Sequence, residues 1–246
     1  MTAPQPALAV ALHDPQGKLA GPIETHAETL SQLFSTVAVN LSTATSEKVV
    51  AALANIKATR LTRHKPEESA IGRFRRESIA LVLDQPSVFY TDLDHLLRWI
   101  EADIGSLSRT LSSKPNADML VIGRSERAFS AEPERLQQTE RLVNHVHALI
   151  TGEQYDLMFA MRRMTADVAR MIVETSKVDS LANDAEWPLR ARALGFRVEY
   201  TECDALYYRT LEDYGRLADT LDDDPLQWIR RIEFAAQHAA AMREFL

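Results

Sequence analysis

Two aspartates one residue apart, Asp92 and Asp94, carry the clearest chemistry in this chain. They stand in PSVFYTDLDHLLRW, where a short apolar run meets a helical pattern. Carboxylate oxygens are hard ligands that suit Mg2+ or Mn2+, ions that keep positions open for water and phosphate oxygens. In an extended strand, residues two apart point the same way, so the two carboxylates can converge on one ligand. In parallel α/β sheets, ligands sit beyond the carboxyl ends of the strands, which is where this pair falls. A plainer reading competes with this one. Asp94 would then only cap the following helix, and Asp92 would be a solvated strand end. Asp-x-Asp is common by chance, and the tripeptide alone does not decide between the two.

The elements that must position the pair follow from hydrophobic periodicity. Ala7–Leu12 reads as a buried strand ending in the turn-rich His13-Asp14-Pro15-Gln16-Gly17, and Glu24–Phe34 as an amphipathic helix. Thr36–Asn40 is a second strand, followed by a small polar loop in which Ser46 caps the helix Glu47–Ile56. Ala58–Leu61 is a third strand, Arg63–Ser69 a charged loop, and Gly72–Leu83 a helix with a basic first turn. Ser87–Thr91 feeds the acidic pair, and His95–Ile104 is the helix after it. Further strands are expected at Asp118–Ile122 and Phe196–Thr201, with helices at Glu134–Ile150, Thr165–Glu174, Ala185–Leu194 and Pro225–Leu246. The alternation of strand and helix predicts an α/β fold, a mostly parallel sheet with helices on both faces.

Composition sets the outer limits. A chain of 246 residues with 46% hydrophobic and 26% charged residues can bury one sizeable core. The net charge of -7 leaves no basic excess to neutralise nucleic-acid phosphates, so nucleic-acid binding is not expected. Cys203 is the single cysteine, which excludes an intrachain disulfide and points to the cytoplasm. No run approaches the roughly 20 apolar residues of a membrane span.

The order of the segments resembles the Rossmann-like GT-A fold of nucleotide-diphospho-sugar transferases, family 2, in its dolichyl-phosphate-sugar-synthase-like branch. The matching pieces are VNLSTATSEKVV, AIGRFRRESIALVL, VFYTDLD, DMLVIGR, YDLMFAMRRMTADVARMIVE and NDAEWPLRARALGFRVEYTE, over roughly residues 7–205. The resemblance implies a metal-dependent glycosyltransferase with a nucleotide-sugar donor. It also implies one domain over residues 1–246, with 7–115 as the donor half, 116–224 as the acceptor side and 225–246 as a terminal helix. Asp92 would contact the ribose or sugar and help hold the metal, and Asp94 would ligate Mg2+ or Mn2+. Gly72 and Arg73 would lie near the donor, and Arg73 or Arg76 would pair with diphosphate oxygens, unless these arginines are a solvated helix face. Asp184, in Asn183-Asp184-Ala185-Glu186-Trp187, would be the general base of an inverting enzyme, or a first-turn acid favoured by the helix dipole. Arg124 would face substrate, while Asp156 and Arg162 would line the acceptor pocket or form surface ion pairs.

The chain departs from the family in two loops. The first strand ends in His13 and Asp14, which are still expected to approach the nucleotide. The second strand ends in Asn40-Leu41 where the family carries two acids, so Asn40 is the candidate to read a base. The family's membrane helices are absent, which favours a small soluble acceptor. A nucleotidyltransferase is the alternative enzyme, although HDPQGKLAG lacks its Gly-rich pattern; a non-catalytic relative is the other alternative. His145 and His147 point apart on their helix, and Cys203 reads as an inert buried thiol. The stripe Leu226, Ile229, Ile232, Ala236, Ala239 reads as core-facing, with a homodimer contact as its second reading.

Overall fold

The segment ALAVAL explains why the first strand (β1, Ala7–Leu12) lies inside the sheet, between two neighbours. Its large residues Leu8, Val10 and Leu12 face one side, and its alanines Ala7 and Ala9 face the other. β2 (Val37–Ser42) repeats the pattern with Val37, Val39 and Leu41 opposite Ala38. Helices α1 (Ala20–Leu33) and α2 (Glu47–Leu53) pack on the large-residue face. The small-residue face lets α3 (Ile71–Ala80) sit close on β1 and β2. The computed structural model describes residues 5–206 and 221–246, so residues 207–220 of the expected acceptor side lie outside it.

Among the described residues the sheet has seven strands in the order β3-β2-β1-β4-β6-β5-β7. β3 is Thr59–His64, β4 Ser87–Tyr90, β5 Met119–Arg124, β6 Met161–Thr165 and β7 Val198–Cys203. All pairings are parallel except those of β6, which runs antiparallel between β4 and β5. The remaining helices are α4 (Leu93–Ser112), α5 (Glu126–Phe129), α6 (Glu134–Thr151), α7 (Ala166–Thr175), α8 (Asn183–Ala193) and α9 (Pro225–Met242). The predicted α/β class and mostly parallel sheet are found, and Ser46 caps α2 by accepting the Lys48 amide.

Three expectations need correction. β6 was not expected, because MRRMT carries two arginines in a row. Arg162 is nevertheless buried, with its guanidinium hydrogen-bonded to the carbonyls of Met161, Leu157 and Asp184. The helix after the acidic pair continues to Ser112 past a break at Asp103 (φ -163°), whose carboxylate accepts the Ser106 amide and restarts the helix. The α9 stripe expected in the core faces out instead. Leu226, Ile229 and Ile232 are exposed, while Ala235, His238 and Met242 are buried.

His147 on α6 is fully buried, its ring tilted against Tyr155 at 4.9 Å. Burial pushes its imidazole down from 6.5 to about 4. The unfolded chain therefore takes up a proton near pH 6.5 that the folded ring refuses until about pH 4, and stability falls as pH drops through that window. His147→Phe is expected to remove roughly 3 kcal/mol of that acid-side loss, read from urea melts between pH 7 and pH 4. An unchanged pH slope would contradict this assignment.

Candidate active site

The carboxyl ends of β1, β2, β3 and β4 share one edge, and the acidic pair lies on it. The local geometry differs from a strand with two parallel side chains. β4 stops at Tyr90, Asp92 occupies the N-cap position of α4, and Asp94 lies in its first turn. The carboxylates therefore diverge. Asp92 accepts the Tyr90 hydroxyl at 3.1 Å and approaches Arg75 at 3.5 Å, whereas Asp94 stands 3.9 Å from Arg98. Neither residue does the capping job of the plainer reading. Asp92 makes no side-chain cap bond, and Asp94 is inside the helix. Both side chains keep substantial exposure, 33% for Asp92 and 40% for Asp94. Desolvation works against charge on Asp94, but His95, Arg98 and the helix amides outweigh it and hold the carboxyl below its ordinary value.

Arg75, which sequence reasoning passed over, organises this edge. It is 3% exposed and donates to Asp184 at 2.8 Å and to the Asn183 side-chain oxygen at 3.0 Å, while its second amino group faces Asp92. Its guanidinium also lies 5.5 Å over the Tyr90 ring. Burial opposes its charge, but Asp184, Tyr90 and Asp92 reverse the effect and keep it protonated. A signal was present in the sequence: Arg75 falls on the buried stripe of α3 with Gly72 and Ser78, where a charge demands a partner. Asp184 is itself buried beside Arg75, and the Asp184 carbonyl accepts from Arg162.

The structure gives several expected site residues other tasks. Asp14 is buried, and its two carboxylate oxygens accept the amides of Gly17 and Leu19 at 2.9 and 2.8 Å, which fixes the first loop. Asn40 is not at a strand end. It is fully buried two residues before the end of β2, and its amide donates to the Phe74 carbonyl and to Glu77, tying β2 to α3. The Gly72 amide donates to the Asp179 carbonyl at 2.7 Å. A Cβ on Gly72 would lie 2.4 Å from the Ser180 carbonyl oxygen, so glycine is required for the 176–182 loop to close on α3. Arg76 binds that loop through the Val178 carbonyl and Asp179, and Arg73 pairs with Glu67 at 2.9 Å. Arg124 is buried among Glu132, Glu140 and Asp156, a full complement of carboxylates. Asp156 and Arg162, expected to line the acceptor pocket or form surface pairs, are both buried, and Asp156 and Arg124 lie on the wall of the cleft beyond β5 and β7.

Clefts open on this edge among the described residues, a small one beside His95 and Arg98 of α4 among them. One, about 520 Å3, is lined by His13, His64, Glu67, Glu68, Phe74 and Arg230 among others. His64 stacks on Phe74 with ring centres 3.5 Å apart, a flat platform at the end of β3. The second, about 210 Å3, lies beyond β5 and β7 between Arg141, Asn144, Tyr155 and Glu202. Among the described residues no group of three or more His, Cys, Asp and Glu forms a metal cage. A single partly exposed carboxylate such as Asp94 suits an ion that takes its other ligands from diphosphate and water.

No protein-family model matches the sequence, and no curated protein matches it. Solved structures do. Glucosyl-3-phosphoglycerate synthase from M. tuberculosis aligns at 12% identity and TM-score 0.60, over 98% of this chain and 80% of that one. Its complex with Mn2+, UDP-glucose and phosphoglyceric acid aligns at 11% identity and TM-score 0.55, over 93% and 80%. A structure described as a mycobacterial protein gives 13% and 0.54, over 92% and 74%. The fold is GT-A. The dolichyl-phosphate-sugar branch named from the sequence finds no counterpart in these three structures.

The Arg75 bridge makes a stability claim. Arg75→Met strands the buried Asp184 carboxylate and is expected to cost roughly 3–5 kcal/mol in urea unfolding. Arg75→Met combined with Asp184→Asn should recover at least about 2 kcal/mol of the summed single effects. Additive losses would mean that the two side chains are not coupled.

Proposed function

We propose that this protein is a metal-dependent glycosyltransferase that moves a sugar from a nucleotide-sugar to a small soluble acceptor. The observation that carries the reading is the pair of partly exposed carboxylates, Asp92 and Asp94, at the carboxyl edge of a GT-A sheet, neither of them engaged in capping. Asp94 would hold Mg2+ or Mn2+, and Asp92 would face the ribose or sugar with its orientation set by Arg75. The metal, when bound, supplies Lewis-acid stabilisation of the departing diphosphate. The cleft lined by His13, His64 and Phe74 takes the nucleoside end, with the His64–Phe74 stack as the surface for the base. His13 is exposed on its wall, and it is the residue of the first loop that stays available to a ligand.

Asp184 fits a positioning role better than that of a general base. Its carboxylate is buried and bonded to the Arg75 guanidinium at 2.8 Å. The cleft beside Arg141, Asn144 and Tyr155 is the acceptor candidate. The aligned mycobacterial enzyme is described with phosphoglyceric acid, which makes that compound the first acceptor to try. Cytoplasmic operation belongs to the same reading, supported by a single buried cysteine whose thiol burial pushes up. One observation favours a non-catalytic relative with an altered donor site: Asn40, the candidate to read the base, is buried and bonded to α3.

Thermal denaturation with a panel of nucleoside diphosphates and nucleotide-sugars, with and without Mn2+, separates these readings. At least one ligand is expected to raise Tm by about 5 °C in the presence of Mn2+ only, and Asp94→Asn should abolish the metal dependence. No shift with any ligand would defeat the donor-site reading. A shift without sugar transfer to any acceptor would favour the non-catalytic relative.

A further inference from the structure

The outward face of α9 is more apolar than a solvated helix face should be. Leu226, Ile229 and Ile232 are 70, 51 and 59% exposed. The alanines Ala236, Ala239 and Ala240 continue the same exposed face, with Glu233 at its border. The opposite face is committed to the fold. Arg231 binds Glu140 at 2.5 Å, and Ala235, His238 and Met242 are buried. The helix therefore has no freedom to roll its apolar stripe inward.

The stripe is graded along its length, with branched residues in the first half and alanines in the second. A parallel partner would oppose isoleucine to isoleucine and alanine to alanine, crowding one end and leaving gaps at the other. An antiparallel copy sets Ile229 against Ala236 and Leu226 against Ala239, so that large side chains meet small ones on either side of Ile232, which meets its own copy at the centre. Charge agrees with the same arrangement. Exposed Asp223 precedes the helix and exposed Arg243 follows it. Antiparallel pairing puts Asp223 of one copy opposite Arg243 of the other at both ends, and it also opposes the two helix dipoles.

We propose that α9 is a self-association surface that pairs antiparallel with α9 of a second copy, about a two-fold axis close to Ile232. A two-fold seam of this kind uses the same patch on both copies. The 18-residue helix is roughly 27 Å long, and one helix pair buries less than the roughly 800 Å2 per partner of a stable interface, so the dimer is weak. The inference does not depend on the donor site.

Sedimentation velocity of the full chain over about 1–200 µM tests it. The wild type is expected to show a monomer–dimer equilibrium in the micromolar range. Ile229→Glu should be monomeric throughout with an unchanged thermal melt, because the side chain is exposed. Asp223→Arg and Arg243→Asp should each weaken the dimer about tenfold, and the double charge swap should restore it. A wild type that stays monomeric over the whole range, or a dimer that Ile229→Glu leaves intact, overturns the proposal. Failure of the double swap to restore association overturns the antiparallel pairing.

Discussion

The buried guanidinium of Arg75 is the interaction on which the candidate site depends. It joins α3 to the N-terminus of α8 through Asp184 and Asn183, and it reaches Asp92 at the entry to α4. These elements are far apart in sequence and approach the same edge of the sheet from different sides. The cation is the shared partner of Asp92 and Asp184 at this edge. A buried ion pair contributes little net stability compared with apolar packing, but losing one partner is costly. Arg75 is therefore better understood as fixing a geometry than as strengthening the fold.

This constraint explains how the remaining polar groups are distributed. Gly72, one turn before Arg75, admits the carbonyls of the 176–182 loop, and Arg76 ties the loop down. The loop brings Asn183 and Asp184 to Arg75. Asp14 holds the first loop by its own backbone amides, and Arg124 is neutralised by three acids on the other side of the sheet. Groups that keep exposure on this edge include Asp94, one side of Asp92, His13 and His64, whose ring lies on the buried Phe74. The proposed donor site draws on these groups.

Much of the fold was legible because its signals are local. The alternation in ALAVAL and VAVNLS marks internal strands, Ser46 marks a helix start, and the strand–helix order gives the parallel half of the sheet. Other features depended on partners that a linear reading does not supply. MRRMT looks too charged for an internal strand until three carbonyls are found around the Arg162 guanidinium. Periodicity located the α9 stripe but not which face was covered, because the buried face carries Arg231 and His238 with partners of their own. The acidic pair was found for its residue types, while its geometry was misjudged, since the strand ends two residues before Asp92. Arg73 and Arg76 drew attention as arginines near a glycine, whereas the one pointing inward is Arg75.

The most direct measurement is a crystal structure grown with Mn2+ and a nucleoside diphosphate, with the ion located by anomalous scattering. The account predicts one Mn2+ peak bound by the Asp94 carboxylate and diphosphate oxygens, with Arg75 still bridging Asp184 and Asp92 and the base against His64. A metal bound away from the α4 N-terminus, or a diphosphate held without Asp94, would contradict it.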